Sequence, residues 1–220
     1  MATSEVTLDF QRPERIGLEE AILCQGKAPE HLVEILERAD ERGASFLLTR
    51  LSLSQLEGLP PALRKKLDYE PVSRTAFFGT VKPLSGPPRV AIVAAGTSDA
   101  FVTREVSRTL RYAGHDSTTI VDVGVAGLWR LMDKVALIGS HPVVVAVAGM
   151  DAALPTVLGG LVSSVLIAVP TSTGYGVAQG GHAALHAILS SCAPGVTTLN
   201  IDNGYGAACA AMRVLRALDR

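Results

Sequence analysis

Val90-Ala91-Ile92-Val93-Ala94-Ala95-Gly96-Thr97-Ser98-Asp99 is an apolar run that breaks into a small polar turn. The run is continuous and rich in β-branched residues, as expected of a strand covered on both faces. The turn offers a glycine for a tight bend, two hydroxyl donors and an acid, and a helix-like stretch, Ala100–Ala113, follows it. Free N–H groups at the start of a helix favour a phosphate. Ser98 or Asp99 can equally serve as an ordinary helix cap, and this string alone leaves the two readings level.

Four further apolar runs repeat the pattern: Thr118–Val123, Val143–Ala148, Val165–Val169 and Thr197–Ile201. Helix-like stretches separate them at Gly127–Met132, Ala152–Leu161 and Ala183–Ser191, and a last one spans Ala207–Leu218. Such alternation predicts a doubly wound α/β domain with a parallel sheet and right-handed crossovers. Ligands of these sheets gather at the carboxyl ends of the strands.

The remaining chain divides around residues 81–88, where three prolines and a glycine make a linker between a small region, 1–80, and the domain at 89–220. In the small region, Glu30–Arg42 reads as an amphipathic helix with Leu32, Val33, Leu36 and Ala39 on one face. Ser45–Leu48 and Thr75–Gly79 read as strands, and Gly17–Gly26 resists assignment.

Composition narrows the function. The 220 residues are 48% hydrophobic and 19% charged, enough for a core, and the net charge of −1 offers no broad basic surface for nucleic acid or an anionic membrane. The N-terminal stretch lacks the apolar core of a signal peptide, and no uninterrupted run is long enough to span a bilayer. Three cysteines without metal-like spacing fit a reducing cytoplasm.

The other strand ends carry candidate chemistry. Arg130, after the second strand, is within reach of a phosphate or carboxylate, or is simply a solvated helix charge. The third strand runs into Gly149-Met150-Asp151-Ala152-Ala153-Leu154-Pro155. A carboxylate there, in an apolar and poorly solvated cleft, suits acid–base work, with a helix cap as the alternative. The fourth runs into Thr171-Ser172-Thr173-Gly174-Tyr175-Gly176, a loop fit to drape over a ligand or merely to flex. The fifth ends in Asp202-Asn203. Cys24 and Cys209 read as buried small apolar residues, whereas Cys192 lies in a turn beside Pro194 and Gly195 that can present a thiolate.

Taken together, AGTSD at 95–99, DVGVAGLWRLM at 122–132, AGMDAALPTVLGGL at 148–161, VPTSTGYG at 169–176, SCAPG at 191–195 and NIDNGYGAA at 200–208 resemble the LarB family. Asp9, Arg12, Arg15, Gly17, Gly26-Lys27 and Thr49-Arg50 extend the likeness weakly into the small region. The resemblance implies a flavodoxin-like, three-layer α/β/α domain like that of the aminoimidazole ribonucleotide carboxylases. It implies carboxylation of nicotinate adenine dinucleotide at C5 of its pyridinium ring with CO2 or bicarbonate. Hydrolysis of the phosphoanhydride then gives pyridinium-3,5-biscarboxylate mononucleotide and AMP, for a nickel-pincer cofactor.

In that scheme Cys192 is the nucleophile and Asp151 the acid–base group. Gly96, Thr97, Ser98, Asp99, Arg130, Gly149, Met150, Ala152, Leu154, Pro155, Thr171, Ser172, Gly174, Tyr175, Gly176, Asp202 and Asn203 bind substrate. The family also implies a homo-oligomer, often an octamer, with Mg²⁺ as a possible aid to hydrolysis and no tightly bound organic cofactor. The family usually carries Glu at the position of Asp151, and most relatives carry His at that of Trp129. A purine-type ribonucleotide carboxylase or mutase, or a non-catalytic nucleotide-binding relative, are the alternatives. The purine-type enzyme uses no thiol and wants a histidine near Trp129.

Overall fold

The computed structural model describes residues 6–220; the first five residues of the N-terminal stretch considered above lie outside them. The chain divides into two compact units, one up to Pro83 together with Tyr112–Gly114, the other from Leu84 onward without those three.

The first unit runs α1 (Arg12–Ile16), β1 (Ala21–Leu23), α2 (Pro29–Glu41), β2 (Phe46–Thr49), α3 (Leu53–Gly58), α4 (Pro61–Arg64), β3 (Leu67–Glu70) and β4 (Thr75–Phe78). Its sheet has the order β1-β2-β4-β3, with β1 parallel to β2 and the other pairs antiparallel. Pro29 opens α2 at a position whose N–H would go unused. The helix buries Leu32, Ile35, Leu36 and Ala39 against Phe46, Leu48 and Phe78. Val33, one residue round the helix, is partly buried and packs against the same cluster, and Ile35 joins the fully buried stripe at the i, i+3, i+4, i+7 spacing. Strand β1 occupies the stretch that resisted assignment. It is three residues long and buries only Ile22, too little for a period to register.

The second unit runs β5 (Val90–Ala94), α5 (Ala100–Tyr112), β6 (Ser117–Ile120), α6 (Leu128–Met132), α7 (Val135–Gly139), β7 (Val143–Ala148), α8 (Ala153–Gly159), β8 (Val165–Pro170), α9 (His182–Leu189), β9 (Thr197–Thr198) and α10 (Gly204–Leu218). The five strands are all parallel in the order β6-β5-β7-β8-β9, which is the flavodoxin-like arrangement read from the sequence. Strands β5 and β7 are buried throughout, and β8 at every position after Val165. Each buried valine there contributes on the order of 1.5–3 kcal/mol.

The edge strands are shorter than expected. Strand β6 stops at Ile120 because only that residue is buried and Asp122 turns the chain with φ of 59°. Strand β9 keeps two residues at the other edge. Helix α7 was not anticipated. No helix among the described residues is long and apolar enough to cross a membrane.

The chain leaves β5 toward β6 on one side and continues through β7 on the other. The switch of direction lies between β5 and β7, and a crevice opens there beyond their carboxyl ends.

Candidate functional site

A cleft of about 520 Å³ occupies that position. Its walls come from the loops after β5 (Ala95, Gly96, Ser98, Asp99), β6 (Gly124, Val125, Ala126, with Arg130 from α6), β7 (Gly149 to Ala152, with Ala153 and Leu154 from α8) and β8 (Thr173).

Strain and close packing shape it. Met150 and Ala152 hold left-handed backbones, with φ of 54° and 45°. Non-glycine residues in that region cost on the order of 1–3 kcal/mol each, and neighbouring contacts hold them in place. One is the hydrogen bond from the Met150 N–H to the Thr173 carbonyl, 2.9 Å. Gly149 makes this approach possible, since a Cβ there would sit 2.3 Å from the Thr173 oxygen. Asp151, between the two strained residues, is exposed at the mouth. The poor solvation expected of it is therefore absent in the free protein, because the turn projects it outward. Its Oδ1 accepts from the Ala153 N–H at 3.4 Å, a loose version of the helix-cap alternative.

The AGTSD turn departs from expectation in its wiring. Gly96 is extended, with φ of −136°, so no tight glycine bend is used. A Cβ there would meet the Asp99 carboxylate at an ordinary 3.7 Å, so the missing side chain leaves room in the cleft rather than easing the backbone. The Gly96 N–H is not offered to a ligand but donates to Asp99 Oδ2 at 3.0 Å. The Thr171 hydroxyl donates to Asp99 Oδ1 at 2.6 Å. Asp99 is buried, and burial pushes its carboxyl above the ordinary aspartate range. Hydrogen bonds from Thr171, Gly96 and Thr173 oppose that rise, while the Asp202 charge adds to it. An acid in this position acts as an acceptor and a tie between loops; it does not donate to a phosphate. Ser98 lines the cleft, whereas Thr97 is exposed outside its lining.

Arg130 lines the cleft but is already paired, its Nη1 2.7 Å from Asp122 Oδ2. Its guanidinium lies against Gly127, where a Cβ would come within 2.8 Å of Nε. The preceding residue, Trp129, is 69% exposed.

Several expected binding residues serve the frame instead. Asp202 accepts from the Ser172 N–H at 2.8 Å, joining the last two loops. Asn203 accepts from the Gly206 N–H at 2.8 Å and so caps α10. Pro155 is buried in the first turn of α8. Gly174 is pressed against the Ala178 carbonyl, and Tyr175 and Gly176 are exposed beyond the cleft lining.

Cys192 is exposed but does not line the cleft. It lies on the connection from α9 to β9, hence toward the amino-terminal edge of a parallel sheet, while the cleft opens at the carboxyl edge. Its neighbours tie it there: Thr156 donates to the Ser191 hydroxyl at 2.7 Å, and Ala193 sits against Gly159 at the far end of α8. Sequence reasoning placed Cys192 and Asp151 together; in one copy of the chain only Asp151 lines the cleft.

Ala95, Gly124, Val125, Ala126, Ala148, Ala153 and Thr173 also line the cleft and were not expected to bind. Their only signal was position, since each lies within a few residues of a strand's carboxyl end. Among the described residues no three His, Cys, Asp or Glu side chains converge as a metal site.

Residues 89–220 match the AIR carboxylase family, and residues 2–80 match the LarB/PurE-like N-terminal domain. The chain belongs to the LarB family of AIR carboxylase-like proteins. The two matches follow one another along the chain and together take in both units. The chain is also 32% identical over 212 residues to uncharacterized protein MJ0165 of Methanocaldococcus jannaschii, covering 91% of this chain and 80% of that protein. Membership in the LarB family supports a carboxylase-like function for the chain.

Proposed function

We propose that the protein carboxylates the pyridinium ring of nicotinate adenine dinucleotide at C5 and hydrolyses its phosphoanhydride, releasing pyridinium-3,5-biscarboxylate mononucleotide and AMP. The observation that carries this reading is the placement of Asp151. It is a carboxylate on a strained turn at the mouth of a switch-point cleft in a LarB-family domain.

A pyridinium ring is an electrophile and does not attack CO2. Addition of the Cys192 thiolate at C4 turns the ring into an enamine whose C5 is nucleophilic. C5 bonds to the carbon of CO2, Asp151 takes the C5 proton, and the C4–S bond breaks to return the thiolate and the aromatic ring. The net exchange is a ring hydrogen for a carboxylate, with one proton released. Water then divides the anhydride. Cys192 lies outside the cleft of its own unit, so in this reading it reaches a ring bound by a neighbouring copy in a homo-oligomer. Arg130, freed from or shared with Asp122, offers its guanidinium to the substrate's phosphates or carboxylate.

Among the described residues no group of three His, Cys, Asp or Glu side chains marks a resident metal site. A hydrated Mg²⁺ carried by substrate phosphates needs no such cluster, and no step above depends on it.

The test is incubation of the protein with nicotinate adenine dinucleotide, bicarbonate and Mg²⁺, with products read by mass spectrometry. AMP together with a ring heavier by one carboxyl group supports the reading. AMP with an unchanged ring would reduce it to hydrolysis alone.

A further inference from the structure

Trp129 is the single tryptophan of the chain, and it stands on α6 beside the cleft with most of its ring in solvent. Leu131 of the same short helix is buried and fixes the helix to the core, while Leu128, Trp129 and Met132 face outward. Among the described residues no aromatic ring or cation stacks on the indole. The next residue, Arg130, lines the cleft. The exposed indole thus stands one residue from the cleft lining.

The proposed ligand is longer than a single nucleotide. The cleft, at about 520 Å³, lies within the range of small-ligand pockets. A dinucleotide has two ring systems joined by two phosphates. With one ring and its phosphate in the cleft, the rest crosses the rim.

We propose that Trp129 is a stacking platform for a heteroaromatic ring of the bound dinucleotide, and so a determinant of dinucleotide over mononucleotide binding. This rests on the reading of the ligand as a pyridinium dinucleotide. Indole suits either of its rings. Tryptophan presents the strongest aromatic face to a cation such as pyridinium, and a neutral adenine stacks on the same face through dispersion and solvent exclusion. Stacking at Trp129 binds the substrate without taking part in proton transfer.

The single tryptophan supplies the experiment. The full-length protein is titrated with nicotinate adenine dinucleotide, with nicotinate mononucleotide and with AMP, following indole emission and, in parallel, heat by calorimetry. Emission is expected to fall on addition of the dinucleotide and to saturate at the calorimetric Kd. The mononucleotide that also quenches identifies the stacked ring. Trp129→Ala is expected to raise the dinucleotide Kd about tenfold, as loss of one stacked base does, and Trp129→Phe to restore most of it.

Calorimetric binding with unchanged emission, or equal Kd for Trp129→Ala, overturns the platform and leaves the ligand reading standing. No heat with any of the three ligands overturns both. Emission that is shielded from iodide before any ligand, and becomes accessible on dilution, assigns the indole to a contact between copies and also overturns the platform.

Discussion

The Thr171 hydroxyl and the Asp99 carboxylate are joined by a 2.6 Å hydrogen bond that ties the loop after β8 to the loop after β5, across 72 positions of sequence. Both residues are buried. Thr171→Val keeps the shape and removes the donor, leaving one carboxylate oxygen without it. A buried polar group so deprived costs about 1–3 kcal/mol. Urea denaturation should show a loss of that size, with an unchanged dependence on denaturant.

Asp99 also gives stability an unusual slope with pH. Its folded pKa lies above the unfolded value, so between the two the folded chain binds more protons. Within that window the contribution of Asp99 to stability falls as pH rises, opposite to the usual behaviour of a paired carboxylate. The cost is fully present above the folded pKa and absent below the unfolded one. Carbon-13 NMR of the Asp99 carboxyl should show titration above the ordinary aspartate range. A midpoint at or below that range would contradict the assignment.

The cysteines should separate by reactivity. Cys24 is buried and its thiol is pushed up to about 12, mainly by desolvation, so it presents almost no thiolate at neutral pH. Cys192 is exposed. Iodoacetamide with peptide mapping should modify Cys192 first and leave Cys24 untouched until the protein unfolds. Cys192→Ala should keep the melting temperature within a few degrees and abolish CO2 incorporation; turnover by this variant would exclude a covalent adduct at that thiol.

Asp151 can be tested by length and by charge. Asp151→Asn should lower carboxylation by about 10²–10⁴-fold, the range associated with loss of a positioned general base. Asp151→Glu keeps the charge, extends the carboxylate by one methylene and should retain or raise the rate. Because Asp151 is exposed, both variants should fold with wild-type stability, checked by thermal melting.

Gly149→Ala should be severe. The new methyl would fall 2.3 Å from the Thr173 carbonyl and 2.6 Å from the Thr171 hydroxyl, and neither neighbour is free to withdraw. Overpacking of this kind costs on the order of 1–3 kcal/mol, so a thermal shift should accompany weaker ligand binding.

The central strands were legible because burial on both faces left continuous apolar runs at Val90–Ala94 and Val143–Ala148. The edge strands were overextended because Val121 and Ile201 look like strand residues beyond the point where the ladder ends, and Val123 is buried and donates to the Ala94 carbonyl at 3.3 Å from outside the strand. Asp151 stood where the third strand predicted an acid, but its exposure depended on the left-handed turn at Met150 and Ala152, which no composition signals. Asp99 was assigned to a ligand because its partner Thr171 is remote in sequence. Cys192 was grouped with the strand ends by its neighbours' chemistry, although a residue between a helix and the next strand belongs to the other edge of a parallel sheet.

The ties among Asp99, Gly96, Thr171, Asp202 and Ser172 mean that the cleft floor is preorganised. Its conformational entropy is lost during folding, before any ligand arrives. A ligand settling there orders little beyond itself, so the heat-capacity change of binding should follow the apolar surface buried rather than any folding of loops. Adaptation to different ligands then falls to the rim, where residues such as Trp129 can change without disturbing the floor.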